Sequence, residues 1–125
     1  MAGKFVISET KNGGFKFNLK AGNGEVIAVS QTYSTMKACE NGIDSVKSNA
    51  AAHVEDQTVE GYEVLTHPKY ELYKDNAGEF RFRLKARNGE IIATGEGYAS
   101  KAGCQNGIAS IGKNAPEAAV IAEEK

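Results

Sequence analysis

The sequence predicts an α+β fold: a tandem repeat of β-β-β-α-β units forming a single mostly antiparallel sheet, with two helices packed on one face. Three observations carry this. Residues 4–50 align with residues 69–115 at a constant offset of 65 with no gap, and about 20 of the 47 aligned positions are identical. Strict period-two alternation recurs in both copies, as Phe15, Phe17 and Leu19 against Lys16, Asn18 and Lys20, and as Phe80, Phe82 and Leu84 against Arg81, Arg83 and Lys85. Finally, apolar residues at Cys39, Ile43, Val46 and Ala50, and at Cys104, Ile108, Ile111 and Ala115, are spaced by four, three and four, which is one face of a helix. Each copy alone has too few residues to bury a sufficient core, so the two are expected to share one. The organisation read from this is a single domain over residues 1–125, with repeat one at 4–59, a connector at 60–68 and repeat two at 69–123.

The elements follow in order. Phe5 to Ser8, and Tyr70 to Tyr73 in copy two, form a short first strand. A polar turn follows, with Gly13 and Gly78 at matched positions where positive φ is expected. The second strand is the alternating run above. Asn23-Gly24 and Asn88-Gly89 mark a hairpin. A two-residue turn would set Ile27 across from Lys20. A three-residue loop, Gly22-Asn23-Gly24, would set Ile27 across from Leu19 and Val29 across from Phe17. The second pairs apolar with apolar and is the register expected. Residues 25–30 and 90–95 are then the third strands.

Ser34, Thr35 and Ser100 offer N-caps to the helices. Gly42 and Gly107 interrupt the helical pattern at a cost of about 1 kcal/mol each against alanine, which predicts a close approach of helix backbone to a neighbour, most simply the sheet. Asn49 and Asn114 are expected to end the helices in the left-handed region, and Pro116 stops the second. A last β-like stretch follows each helix, within residues 53–59 in copy one and at residues 118–122 in copy two. Tyr62, Val64 and Leu65 make the connector too apolar for a free linker, so part of it should pack.

The runs FKFNLKAGNGEVIAVSQTYS (residues 15–34) and CENGIDSVKSNA (residues 39–50), each with its counterpart in copy two, resemble the YegP-like family of small bacterial proteins. Copy two departs at Gly95, where copy one has Ser30, and at Ile111-Gly112, where copy one has Val46-Lys47. The resemblance spans nearly the whole chain. It implies tandem β3-α-β units in one sheet with the post-helix strands exchanged between units. It brings no activity, catalytic residue or ligand with it.

Composition limits the functional classes. The formal net charge is −1 with 25% charged residues, which argues against a chain dedicated wholesale to nucleic acid. No apolar run reaches membrane-spanning length, and the N-terminal residues contain no signal-like apolar stretch, so a cytoplasmic protein with no membrane partner is expected. Two cysteines make no disulfide framework. Cys39 and Cys104 read as small buried hydrophobes, with a bridge between the repeats as the other possibility. His53 and His67 show no metal-ligand spacing with them, and no cofactor, phosphate-loop or catalytic constellation is present. The expectation is no catalytic residue, no metal and no cofactor.

Two features suggest contact with a partner. Lys16 and Lys20, with Arg81, Arg83 and Lys85, project from one side of their strands and could form a basic open face for phosphates or nucleic acid. Sheets that bind single strands also carry exposed aromatics on that face, whereas here the strand phenylalanines point inward. The facing of Tyr33, Tyr73 and Tyr98 is not set by the pattern. Glu9, Glu25, Glu71 and Glu90 are available as cross-strand partners, which makes a solvated ion-paired face the default reading. The second feature is Asn41 and Asn106, which precede the helix glycines in both copies. They read as side-chain ties from helix to loop or, more sharply, as a ligand contact made once per repeat. The function expected is that of a non-enzymatic structural or interaction module, with a protein partner or a homodimer. Weak anion or nucleic-acid binding is the alternative, and an enzyme site at the seam between repeats stands third. Strands exchanged within the chain would give a monomer; strands exchanged between chains would give a dimer.

Overall fold

The computed structural model describes residues 3–122. Eight strands form one sheet: β1 (Lys4–Glu9), β2 (Phe15–Lys20), β3 (Val26–Val29), β4 (Val54–Asp56), β5 (Lys69–Lys74), β6 (Phe80–Lys85), β7 (Ile91–Thr94) and β8 (Ala119–Ala122). Helix α1 (Met36–Asn49) follows β3, and α2 (Lys101–Asn114) follows β7. The spatial order is β4-β5-β6-β7-β3-β2-β1-β8. The two post-helix strands are therefore exchanged. β4 leaves the first repeat to lie parallel to β5, and β8 returns from the second to lie parallel to β1. All other pairings are antiparallel. The halves meet at β3 and β7 through Val29 opposite Thr94.

Both helices lie on one face. α1 packs on β2 of its own repeat and β7 of the other, and α2 packs on β6 and β3. Phe5, Ile7, Phe17 and Leu19 and their counterparts Tyr70, Leu72, Phe82 and Leu84 are buried beneath them. Cys39, Ile43 and Val46 close the core from α1, and Cys104, Ile108 and Ile111 from α2. The Tyr70 hydroxyl donates to the Ala50 carbonyl at 2.7 Å and so ties the end of the first helix to the second repeat's sheet.

Local signals account for the ends. The Thr35 hydroxyl accepts from the Ala38 amide, and Ser100 from that of Gly103, each at 3.0 Å. Asn49 and Asn114 are not left-handed. Each helix does end at its Asn, but in right-handed backbone: each side-chain amide donates to the carbonyl four residues back, Ser45 and Ser110 at 2.8 Å, and the following alanines remain right-handed.

The hairpin loop is the three-residue form: Ala21 donates to the Glu25 carbonyl, and Gly24 lies at φ +89°. The strand register nevertheless differs from the expected one. A second bulge inserts Ile27, so that Ala28 stands across from Leu19 and Val29 across from Asn18. Two successive residues, Ile27 and Ala28, then both face the core, and Val29 is turned outward. The same shift recurs at Leu84/Lys85, where Ile92 and Ala93 are buried together.

The helix glycines admit a tyrosine hydroxyl rather than the sheet backbone. A Cβ at Gly42 would lie 2.4 Å from Tyr33 Oη, and one at Gly107 would lie 2.4 Å from Tyr98 Oη. Tyr33 and Tyr98 stack on Phe17 and Phe82 with centroids 6.3 and 6.4 Å apart. Gly42→Ala should therefore destabilise by about 1–3 kcal/mol through overpacking, despite alanine's better helix propensity. Urea denaturation would measure the loss, and a companion Tyr33→Phe should recover part of it. Gly95 has a similar cause: its Cβ would fall 2.2 Å from the Phe82 ring.

Candidate functional site

The face of the sheet away from the helices carries every residue of the predicted basic stripe, but its two halves differ. The strand pairings place one row of side chains across the full width: Glu55, Glu71, Arg83, Thr94, Val29, Asn18, Val6 and Ile121. The first four belong to the half built on β5 and β6, and the last four to the half built on β1 and β2. Equivalent positions are charged in one half and apolar or neutral in the other. Glu55 corresponds to Ile121, Glu71 to Val6 and Arg83 to Asn18.

In the charged half, Lys69 bridges Glu55 at 2.7 Å and Glu71 at 3.3 Å. Arg83 and Lys85 also pair with Glu71. Arg81 pairs with Asp75, and Arg83 stacks on the Tyr73 ring at 4.6 Å. Glu55, Lys69 and Glu71 are buried even though they face away from the helices, and the connector reaches this cluster at Glu55. The Leu65 amide donates to Glu55 Oε1 at 2.7 Å and the Gln57 side chain to Oε2 at 2.6 Å. Burial alone would raise the Glu55 carboxyl. Hydrogen bonds from Lys69, Gln57 and Leu65 outweigh it and hold the group at about 2. Burial likewise opposes ionisation of Glu71, and Arg83, Lys85 and Lys69 bring its pKa below the usual carboxylate value.

In the other half nothing among the described residues covers the sheet. Val29 is 37% and Ile121 is 44% exposed, with Asn18 and Val6 half-buried between them. Lys4, Lys16 and Lys20 border this stripe, and none of them is in a salt bridge among the described residues. The five predicted basic residues thus share a face but not an environment. Arg81, Arg83 and Lys85 are held by carboxylates, whereas Lys16 and Lys20 are not.

Asn41 and Asn106 are exposed, and neither side chain makes a hydrogen bond among the described residues, so the expected helix-to-loop tie is not formed. The space beside the neighbouring glycine is taken by the Tyr33 or Tyr98 hydroxyl, so the close contact at this point of the helix is made by the tyrosine and not by the Asn. Asn41 borders a depression of about 280 Å³ at the seam with Asn88 and Glu90. Two equivalent clefts lie between each helix end and the other repeat's hairpin, at Ser45, Asn49 and Asn88 and at Ser110, Asn114 and Asn23. Cys39 and Cys104 are free and fully buried. Burial pushes the Cys104 thiol up to about 11, which is the opposite of what a thiolate nucleophile needs. Among the described residues no group of three or more His, Cys, Asp or Glu could hold a metal ion, and no helix is long and apolar enough to cross a membrane.

Sequence reasoning missed Glu55 and Lys69 as a buried pair, and it missed the Val6, Val29 and Ile121 stripe. The signal was present as departures between the copies. Val6 stands where copy two has Glu71, Asn18 where it has Arg83, and Val29 where it has Thr94.

A duplicated α+β unit with exchanged outer strands, sharing one core beneath two helices, defines the class of protein. Residues 10–56 and 75–121 each match the domain of unknown function DUF1508, and the chain belongs to that family. It is 37% identical over 121 residues to a UPF0339 protein in the ptx operon 5′ region of Stutzerimonas stutzeri, covering 97% of this chain and 96% of that one. It is 66% identical over 53 residues to a UPF0339 protein of Treponema denticola, covering 42% of this chain and 91% of that protein. The solution NMR structure of YegP, a protein of unknown function from E. coli, matches with a TM-score of 0.81 at 36% identity, covering 98% of this chain and 94% of that one.

Proposed function

We propose that this protein is a non-enzymatic interaction module, and that its binding surface is the uncovered half of the open sheet face. The observation that carries this reading is the contrast between two equivalent surfaces. One holds a buried ion network that the connector meets at Glu55, and the other leaves Val29 and Ile121 exposed beside half-buried Val6 within a border of lysines. An apolar stripe with a basic rim suits an acidic, partly apolar polypeptide segment, because the stripe gains from burial and the rim selects the charge. Such a segment already lies on the equivalent surface in this chain, where residues 59–66 read VEGYEVLT.

The test is a titration of the labelled protein with a synthetic peptide of that sequence. Amide shifts confined to β1, β2, β3 and β8 are expected, and they should weaken with salt. The absence of any shift at millimolar peptide would sink the reading. A second reading, anion or nucleic-acid binding, draws on the unpaired state of Lys4, Lys16 and Lys20 among the described residues. Shifts at those lysines with a single-stranded oligonucleotide, and none with the peptide, would select it instead.

A further inference from the structure

The open face is stepped. Beside β4 and β5 the linking residues 57–68 add a layer, with the Leu65 amide on Glu55, and Val59, Tyr62 and Val64 within them are 49%, 40% and 73% exposed. Glu60 and Glu63, both exposed, are interleaved with them. Over the other half no described residue adds a layer, and the surface is the sheet itself, apolar at Val6, Val29 and Ile121 and basic at its border. The raised segment is acidic and apolar, whereas the lowered half is basic and apolar. A two-fold axis above the seam and parallel to the strands would lay each raised half on the lowered half of another copy.

We infer that the partner for this face is a second copy of the chain, in a face-to-face dimer that seats each connector on the β1–β2 half of the other copy. The inference rests on the interaction-module reading and names its partner. Such an interface is isologous, so each charge contact and each apolar contact is made twice. Eight strands spaced about 4.8 Å apart and roughly 13–20 Å long give each copy about 500–750 Å² of face, so the pair would bury on the order of 1,000–1,500 Å², in the range of weak to standard-size interfaces. Complementary charge sets the orientation, because connector on connector would bring Glu60 and Glu63 against their own copies.

The experiment is light scattering and sedimentation of the full chain from about 10 µM to about 1 mM at low salt, where mass action must shift a reversible dimer. A concentration-dependent rise towards twice the monomer mass is expected. Lys16→Glu with Lys20→Glu, and separately Glu60→Lys with Glu63→Lys, should each weaken self-association by about tenfold or more. These residues are exposed or at the surface and make no salt bridge among the described residues, so the fold is retained, as a thermal melt would check. An equimolar mixture of the two double variants should associate again, because both of its contacts are then complementary. A monomer at all concentrations overturns the inference, as does a dimer that both double variants form unchanged, which would point to pairing along the exposed β8 edge. The peptide titration separates the two readings: peptide binding by a monomeric protein leaves the face as a binding surface and removes only the second copy.

Discussion

Lys69→Ala will cost the fold about 3–5 kcal/mol, the loss expected when one member of a buried ion pair is removed and the other is left uncompensated. Lys69 is the only cation bonded to Glu55 among the described residues, and Glu55 is 2% exposed. The Leu65 amide and the Gln57 side chain remain as donors but bring no charge. Glu71 would fare better, since Arg83 and Lys85 stay beside it. The internal control is Lys4, which occupies the same position in the first repeat opposite Lys20, as Lys69 stands opposite Lys85. Lys4 is exposed and makes no salt bridge among the described residues, so Lys4→Ala should change stability by no more than about 0.5 kcal/mol. Guanidinium denaturation of the two variants gives the comparison.

Lys69→Met combined with Glu55→Gln should restore most of the loss, because neither charge is then stranded. Acid provides a second readout. The Glu55 carboxyl sits at about 2 in the folded chain against an ordinary value of 4.5. Its contribution is therefore whole above the ordinary value and fades as pH falls from there towards 2. The wild-type chain should lose stability across that window more steeply than the double variant. Equal costs for Lys69→Ala and Lys4→Ala would show that the connector does not seal the network.

The repeat made the fold legible because each element was visible twice. The alternation in Phe15 to Leu19, the cap at Thr35 and Ser100, and the glycines at Gly42 and Gly107 all describe contacts within one unit, and such contacts are written in neighbouring residues. The second bulge at Ile27 was not legible. It is visible only as two adjacent apolar residues, and an ordinary strand ending in the core would carry the same pair. The strand exchange came from the family resemblance, because β4 and β8 are short and their partners lie in the other repeat. For the surface, the pattern placed Arg81, Arg83 and Lys85 on the open side correctly. It also offered Glu71 as a cross-strand partner, and Arg83 and Lys85 take it. It could not show that Glu55 and Lys69 would be buried beside Glu71, since that depends on where residues 57–68 run. What distinguishes the two halves lies at the positions where the copies disagree, and agreement between copies reports only the shared architecture.

Cutting the chain after Ala52 should abolish cooperative folding of the first fragment altogether. That fragment keeps β1 to β3 and α1 but loses β8, which pairs with β1 through Lys4 to Ile7, and it loses β7, against which α1 packs. Phe5 and Ile7, buried at 0% and 2% in the whole chain, lose their β8 neighbours, and the Tyr70 hydroxyl bonded to the Ala50 carbonyl is gone. With about 50 residues and one open side to its core, the fragment has too little apolar burial to offset its chain entropy. Residues 53–125 are better placed, because β4 already accompanies β5 and the Lys69 network can form within that piece. Its β8, however, would be left with no strand to join. Mixing the two pieces should therefore restore one compact species, with β8 returning to β1 and α1 to β7. Circular dichroism melts of each fragment and of the mixture give the answer. A sharp transition in the first fragment alone would mean that one repeat carries a sufficient core, and that the exchange of outer strands is an embellishment on two self-standing units.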